Sequence, residues 1–176
     1  EALLQNAPEN SAVHVVVAEL SAAGGDTAAA RKHLKKALEI DGNSLAALLG
    51  LARIESNDGR LSAARSLLRN ALEIAPENSI VMNEMANVAA IEGDQATAAS
   101  WLEKARAVDP RAVRPRIRLA KLYLAQARHA EAASVIREAA DVDPENAEVR
   151  NLLGVSEVIA GNHRADAGHF ARAVDE

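Results

Sequence analysis

Proline returns in this chain at a fixed interval, and that interval limits the folds open to it. Pro8, Pro76 and Pro144 each open a Pro-Glu-Asn triplet 68 residues from the next, and Asp109-Pro110 falls between the last two in phase with a 34-residue step. A period of that size is a two-helix unit too small to bury its own apolar face, so each unit must stack on its neighbours. With the proline column set as position 32, full units run 11–44, 45–78, 79–112 and 113–146. Residues 1–10 are then the tail of a preceding unit and 147–176 an incomplete fifth.

The columns of this alignment give the packing. Position 27 is Ala37, Ala71, Ala105, Ala139 and Ala173, and position 8 is Ala18, Ala52, Ala86, Ala120 and Gly154. Position 20 is Ala30, Ala64, Ala98 and Ala132, while positions 7 and 24 are large and apolar, among them Leu51, Met85, Leu34, Leu68 and Phe170. Small residues therefore face large ones at helical spacing, which is what close helix-on-helix contact requires. Such contact suits a chain with 40 alanines and one residue each of Trp, Tyr and Phe, which has no aromatic anchors for an ordinary globular core. Gly25, Gly59, Gly93 and Gly161 recur at position 15, where a residue ending a helix often needs positive φ. Proline halts the second helix, and Asn10, Asn78 and Asn146 at position 34 can cap the next. The expected fold is all-α, a right-handed α-solenoid of antiparallel helix pairs with helices of about 13 residues.

Small residues at 8, 20 and 27, large ones at 7 and 24, Gly at 15 and Pro at 32 resemble the tetratricopeptide repeat over nearly the whole chain. Departures are visible. The family's aromatic at position 4 is replaced by His14, Leu48, Met82, Arg116 and Arg150, and its Tyr at position 11 survives only as Tyr123. Ala127 stands at the turn glycine and Asp166 at the small position 20, so the last unit is expected to pack less well. A narrower likeness runs from Gly93-Asp94 through Trp101-Leu102-Glu103-Lys104-Ala105 and Arg114-Pro115-Arg116 to Leu124. That stretch looks like the tetratricopeptide lipoprotein of the bacterial PEP-CTERM and exosortase system. The likeness implies a periplasmic or outer-membrane-associated protein of exopolysaccharide assembly or surface-protein sorting; without it, a cytoplasmic location is expected.

Catalytic chemistry finds no support. Zero Cys removes thiolate nucleophiles, disulfides and zinc knuckles together. His163 and His169, six apart, fall on different helix faces with no His-Glu-x-x-His pairing, so the five histidines read as structural or exposed, not as metal ligands. Gly24-Gly25-Asp26 lacks the Gly-Lys-Ser/Thr of a phosphate loop and is explained by the turn column. Asp141, Asp143 and Glu145 read as a solvated loop. Neither a cofactor nor an enzyme activity is expected. A net charge of -5 argues against nucleic acid as partner, and no apolar stretch approaches the length of a membrane span.

Function is then expected on a surface. The resemblance implies that first helices line a concave groove, where positions 2, 5, 9, 12 and 13 share a stripe. Position 9 gives Arg53, Asn87 and Lys121, position 5 gives Asn83, and position 2 gives Arg114. Arg and Lys can grip carboxylates, and Asn can hydrogen-bond an extended backbone. Arg118 joins them through the carboxylate clamp of some co-chaperones: Arg114 and Arg118 match its third element, while Leu49, Arg53 and Glu84 fail the first two. Trp101, at position 23 beside the apolar column, reads as packing against the next unit before recognition. The expected role is a non-catalytic scaffold for a protein or peptide partner, the alternative being the regulatory or substrate-recruiting arm of an enzyme whose catalytic domain lies outside this chain. The register of the two ends leads us to expect a piece of a longer array, whose apolar end faces could associate end to end.

Overall fold

The computed structural model describes the backbone of residues 7–174 and the side chains of residues 7–161. Among the described residues all regular structure is helical: α1 (Ser11–Ala23), α2 (Thr27–Ile40), α3 (Leu45–Asn57), α4 (Leu61–Ile74), α5 (Ser79–Ile91), α6 (Gln95–Val108), α7 (Val113–Ala125), α8 (His129–Val142) and α9 (Ala147–Val174). The chain divides within α6 into two compact units, Glu1–Trp101 and Leu102–Glu176.

In the first unit each helix packs on the next from α1 to α5, and the first helices of successive repeats also touch, α1 with α3 and α3 with α5. One core gathers Val15, Ala18, Ala30, Leu34, Ala37 and Leu51; the next gathers Leu48, Ala52, Ala64, Leu68, Ala71 and Met85. The alanine columns are the places where helices come closest: Ala30, Ala37, Ala64, Ala71 and Ala86 are completely buried. Gly50 serves the same end, since a Cβ there would stand 2.9 Å from Cδ2 of Leu34. In the second unit α8 packs on both α7 and α9, around Leu119, Ala120, Ile136, Ala139 and Val149.

The turn inside each helix pair is one motif made four times. The amide of position 15 donates to the carbonyl of position 12, and that of position 16 to position 11, as in Gly25 to Ala22 at 3.0 Å and Asp26 to Ser21 at 2.9 Å. This is the Schellman arrangement, which needs a left-handed residue at position 15. Gly25, Gly59 and Gly93 supply it with φ of 83°, 77° and 82°. Ala127 is forced into the same conformation, φ 57°, with the same two bonds, Ala127 to Leu124 at 3.0 Å and Arg128 to Tyr123 at 2.9 Å. A side chain in that region costs about 1–2 kcal/mol, offset in part by the greater unfolded-state entropy of glycine. Ala127→Gly is therefore expected to stabilise the protein by about 0.5–1 kcal/mol, read as a higher urea midpoint in circular dichroism.

Helix caps alternate between odd and even repeats. Asn10, Asn78 and Asn146 accept from amides of the helices that follow them, whereas Ser44 and Ala112 make no side-chain cap bond. At position 16, Asp26 and Asp94 cap α2 and α6 through the amides of Ala29 and Thr97, each at 2.9 Å. Arg60 and Arg128 hold that position in the even repeats and turn back onto position 11. Arg60 pairs with Glu55, and the Arg128 guanidinium lies 4.1 Å from the centre of the Tyr123 ring.

One expectation is corrected. Gly161 makes no turn: α9 runs through it without a break, so the fifth unit is one long helix in place of a helix pair. A glycine permits a left-handed residue but does not impose one. In keeping with this, Gly154 at position 8 is exposed where Ala18, Ala52, Ala86 and Ala120 are buried. Position 4, where the family's aromatic is replaced, lies in the interior of the four full repeats. His14, Leu48, Met82 and Arg116 are all buried, and Arg150 is exposed beside Glu145 at 3.0 Å. The expectations placed on His163, Asp166, His169, Phe170 and Ala173 concern side chains outside the described residues.

Candidate functional site

The side chains expected on the first-helix stripe fall in both units. In the first, Arg53 on α3 and Asn83 and Asn87 on α5 were to present free polar groups. Arg53 is exposed, but its Nε donates to Oε1 of Glu84 on α5 at 2.8 Å, so its charge is engaged in joining two successive first helices. Asn83 is 4% exposed and cannot reach a ligand in this structure. α5 also packs directly on α3, so the stripe is less open than either helix considered alone would present. Asn87, one turn on, is half-buried.

In the second unit Arg114, Arg118 and Lys121 lie along α7 at spacings of four and three, which puts them on one face. Lys121 is exposed and pairs with Glu148 at the start of α9. Arg118 is half-buried, and Arg114 is exposed with no charged partner among the described residues. Both position-9 cations thus reach forward to a carboxylate of the next repeat. The acids that receive them, Glu84 and Glu148, were missed as site residues because they occupy two different columns, 6 and 2.

Polar groups behind these surfaces serve the frame. Arg116 is buried, its Nη1 donating to the carbonyl of Ala112 at 2.6 Å, with Oε2 of Glu138 3.7 Å from its Nε. Arg106 holds the same carboxylate at 2.8 Å. The hydroxyl of Tyr123 donates to Glu103 at 2.9 Å, and burial and that carboxylate push its pKa up. Near the first turn, Nδ1 of His14 stands 3.0 Å from Nδ1 of His33, and Nε2 of His14 lies 2.9 Å from the carbonyl oxygen of Pro8. Nε2 must carry a hydrogen to bond that carbonyl, so Nδ1 of His14 accepts from His33 when His14 is neutral. Burial above all, then His14 and Lys32, holds the pKa of His33 below its ordinary value. Among the described residues no three His, Asp or Glu side chains gather as metal ligands, and no helix is long and apolar enough to cross a membrane.

The 34-residue recurrence of paired helices, the four shared turns and the buried alanine columns agree with an independent comparison: the family profile of the tetratricopeptide repeat matches residues 21–82 and 89–155. The chain belongs to the tetratricopeptide repeat family. Solved structures agree on the fold. A thermophilic tetratricopeptide protein of Thermus thermophilus, TTC0263, is similar with a TM-score of 0.77 at 21% identity, over 88% of this chain and 85% of that one. MamA is similar with a TM-score of 0.71 at 17% identity, over 96% of this chain and 92% of that one. YrrB is similar with a TM-score of 0.66 at 19% identity, over 92% and 85% respectively. At these identities the likeness is one of tetratricopeptide fold. Among curated proteins none matches the chain.

Proposed function

We propose that this tetratricopeptide protein is a non-catalytic scaffold that holds a segment of a partner polypeptide on exposed faces of its first helices, that of α7 in the second unit above all. The observation that carries the reading is the unequal use of charge on that face. Arg53 and Lys121 are neutralised by Glu84 and Glu148, whereas Arg114 projects from α7 without a counter-ion among the described residues. A guanidinium in that state is a ready donor for a carboxylate of a bound chain. YrrB, similar in fold, has an unusual peptide-binding site, which supports a peptide as the class of partner. The local likeness of residues 93–124 supports placing the partner in bacterial envelope or exopolysaccharide assembly.

Selection from a display library of random twelve-residue peptides tests the reading. Peptides retained by the wild-type protein are expected to be rich in Asp or Glu and to bind Arg114→Glu at least about tenfold more weakly, the worth of one charged hydrogen bond. Lys121→Met should change binding less, because Glu148 already occupies that cation. Retained peptides that bind Arg114→Glu as well as wild type would remove the first-helix face from consideration.

A further inference from the structure

The second helices carry a cleft of their own. It lies within the first unit, has a volume of about 500 Å³, and is walled by α4, α5 and the start of α6. That size falls in the range of small-ligand sites, roughly 300–1,000 Å³. Its apolar lining is Leu72, Met85, Ala89 and Trp101. Trp101 packs against the core around Leu68 and Met85, in its own repeat and the one before it where packing on the next repeat was expected, and it is half-buried, so part of the residue also lines the cleft. Position 23 is His33, Leu67 and Val135 in the other full repeats, which makes the indole peculiar to this place.

The charges of the cleft are unequally committed. Arg65 is ion-paired with Glu92 across it. Asp94 is occupied as the cap of α6 through the amide of Thr97. Arg69 is exposed on α4 and has no charged partner among the described residues. The cleft therefore combines an apolar lining that includes an indole with a guanidinium, Arg69, that is held by no ion pair among the described residues, and Trp and Arg are the residue types that most often dominate binding energy at protein surfaces.

We propose that this cleft is a second recognition site, separate from the first-helix face, which takes an aromatic side chain adjacent to a carboxylate in a partner chain. The ring lies against Trp101, Met85 and Leu72, where aromatic and sulfur contacts add to burial. The carboxylate meets Arg69.

Trp101 is the single tryptophan, so its fluorescence reports on the cleft directly. The probes are the blocked dipeptides N-acetyl-Phe-Glu-amide and N-acetyl-Phe-Gln-amide, titrated through the millimolar range. A saturable change in Trp101 emission is expected with the first and at least roughly tenfold weaker binding of the second. Arg69→Gln is expected to bind both peptides equally weakly; because the side chain is exposed, its circular dichroism should match wild type. Arg114→Glu should leave the response unchanged, which separates this site from the first-helix face. No saturable change, equal affinities for the two peptides, or discrimination that survives Arg69→Gln would each overturn the proposal.

Discussion

Replacing Glu55 by alanine is expected to cost about 2–3 kcal/mol, although the residue lies on no proposed binding surface. Its carboxylate is buried in α3 and accepts from Nε of Arg31 on α2 at 3.1 Å and from Arg60 just beyond the end of α3. The same two guanidinium groups hold Asp58. One buried acid thus fastens the second helix of repeat 1, the first helix of repeat 2 and the turn that follows it. Breaking a buried pair costs about 3–5 kcal/mol when the remaining charge is stranded. Here the side chains of Arg31 and Arg60 are 25% and 48% exposed and can take water, which lowers the figure. Glu55→Gln should lose less, about 1 kcal/mol, since it still accepts a hydrogen bond. The hydrogen bond from Arg60, helped by Arg31 and opposed by burial, holds the Glu55 carboxyl below its ordinary range. A depressed carboxyl pKa stabilises the fold above the unfolded value, near 4.5, and that contribution fades as pH falls toward the folded value. Wild type and Glu55→Gln should therefore differ in urea unfolding at neutral pH and converge in acid. Because stability in repeat arrays is largely a sum of local terms, amide exchange should rise first in α2, α3 and α4.

Leu68→Ala is expected to be the more damaging change, at about 3–4 kcal/mol. Leu68 is 1% exposed at position 24 and sits among Leu48, Ala52, Ala64, Ala71, Val81 and Met85. The cost of a leucine truncation, about 2–5 kcal/mol, depends on how far the surroundings can close over the cavity. Alanine has no rotamer with which to move inward, so a site walled by three of them collapses poorly. Leu67, its half-buried neighbour in sequence, should lose only about 1 kcal/mol on the same truncation, because it begins partly in water. Chemical denaturation of the two variants side by side would expose the difference, and equal losses would show that the small columns do not set the rigidity of the core.

The architecture could be read from the sequence because its determinants are single residues in fixed columns. A column filled by alanine in all four full repeats, such as 8, 20 or 27, reports a close approach whichever neighbour makes it. The candidate site depends on pairs, and pairs formed between repeats leave no such mark. Nothing in Arg53 alone announces Glu84, 31 residues on, or in Lys121 the acid Glu148. Asn83, on the same stripe, is buried, and a stripe read from one helix in isolation does not show that α3 lies against α5. Gly161 shows the limit from the other side. The left-handed turns at Gly25, Gly59, Gly93 and Ala127 exist because a following helix folds back there, as Ala127 demonstrates by turning without glycine.

The alternating caps also say what the modular element of this chain is. Excising Leu45–Ala112 would join Ser44 to Val113, exchanging one uncapped junction for another and leaving the odd-even order of Asp and Arg at position 16 undisturbed. Excising Leu45–Asn78 alone would set Ser44 before α5 and take from it the Asn78 side chain that now accepts two of its amides. Lengthening or shortening the array without loss of a cap therefore proceeds by pairs of repeats, and an engineer building on this scaffold should copy 68 residues at a time.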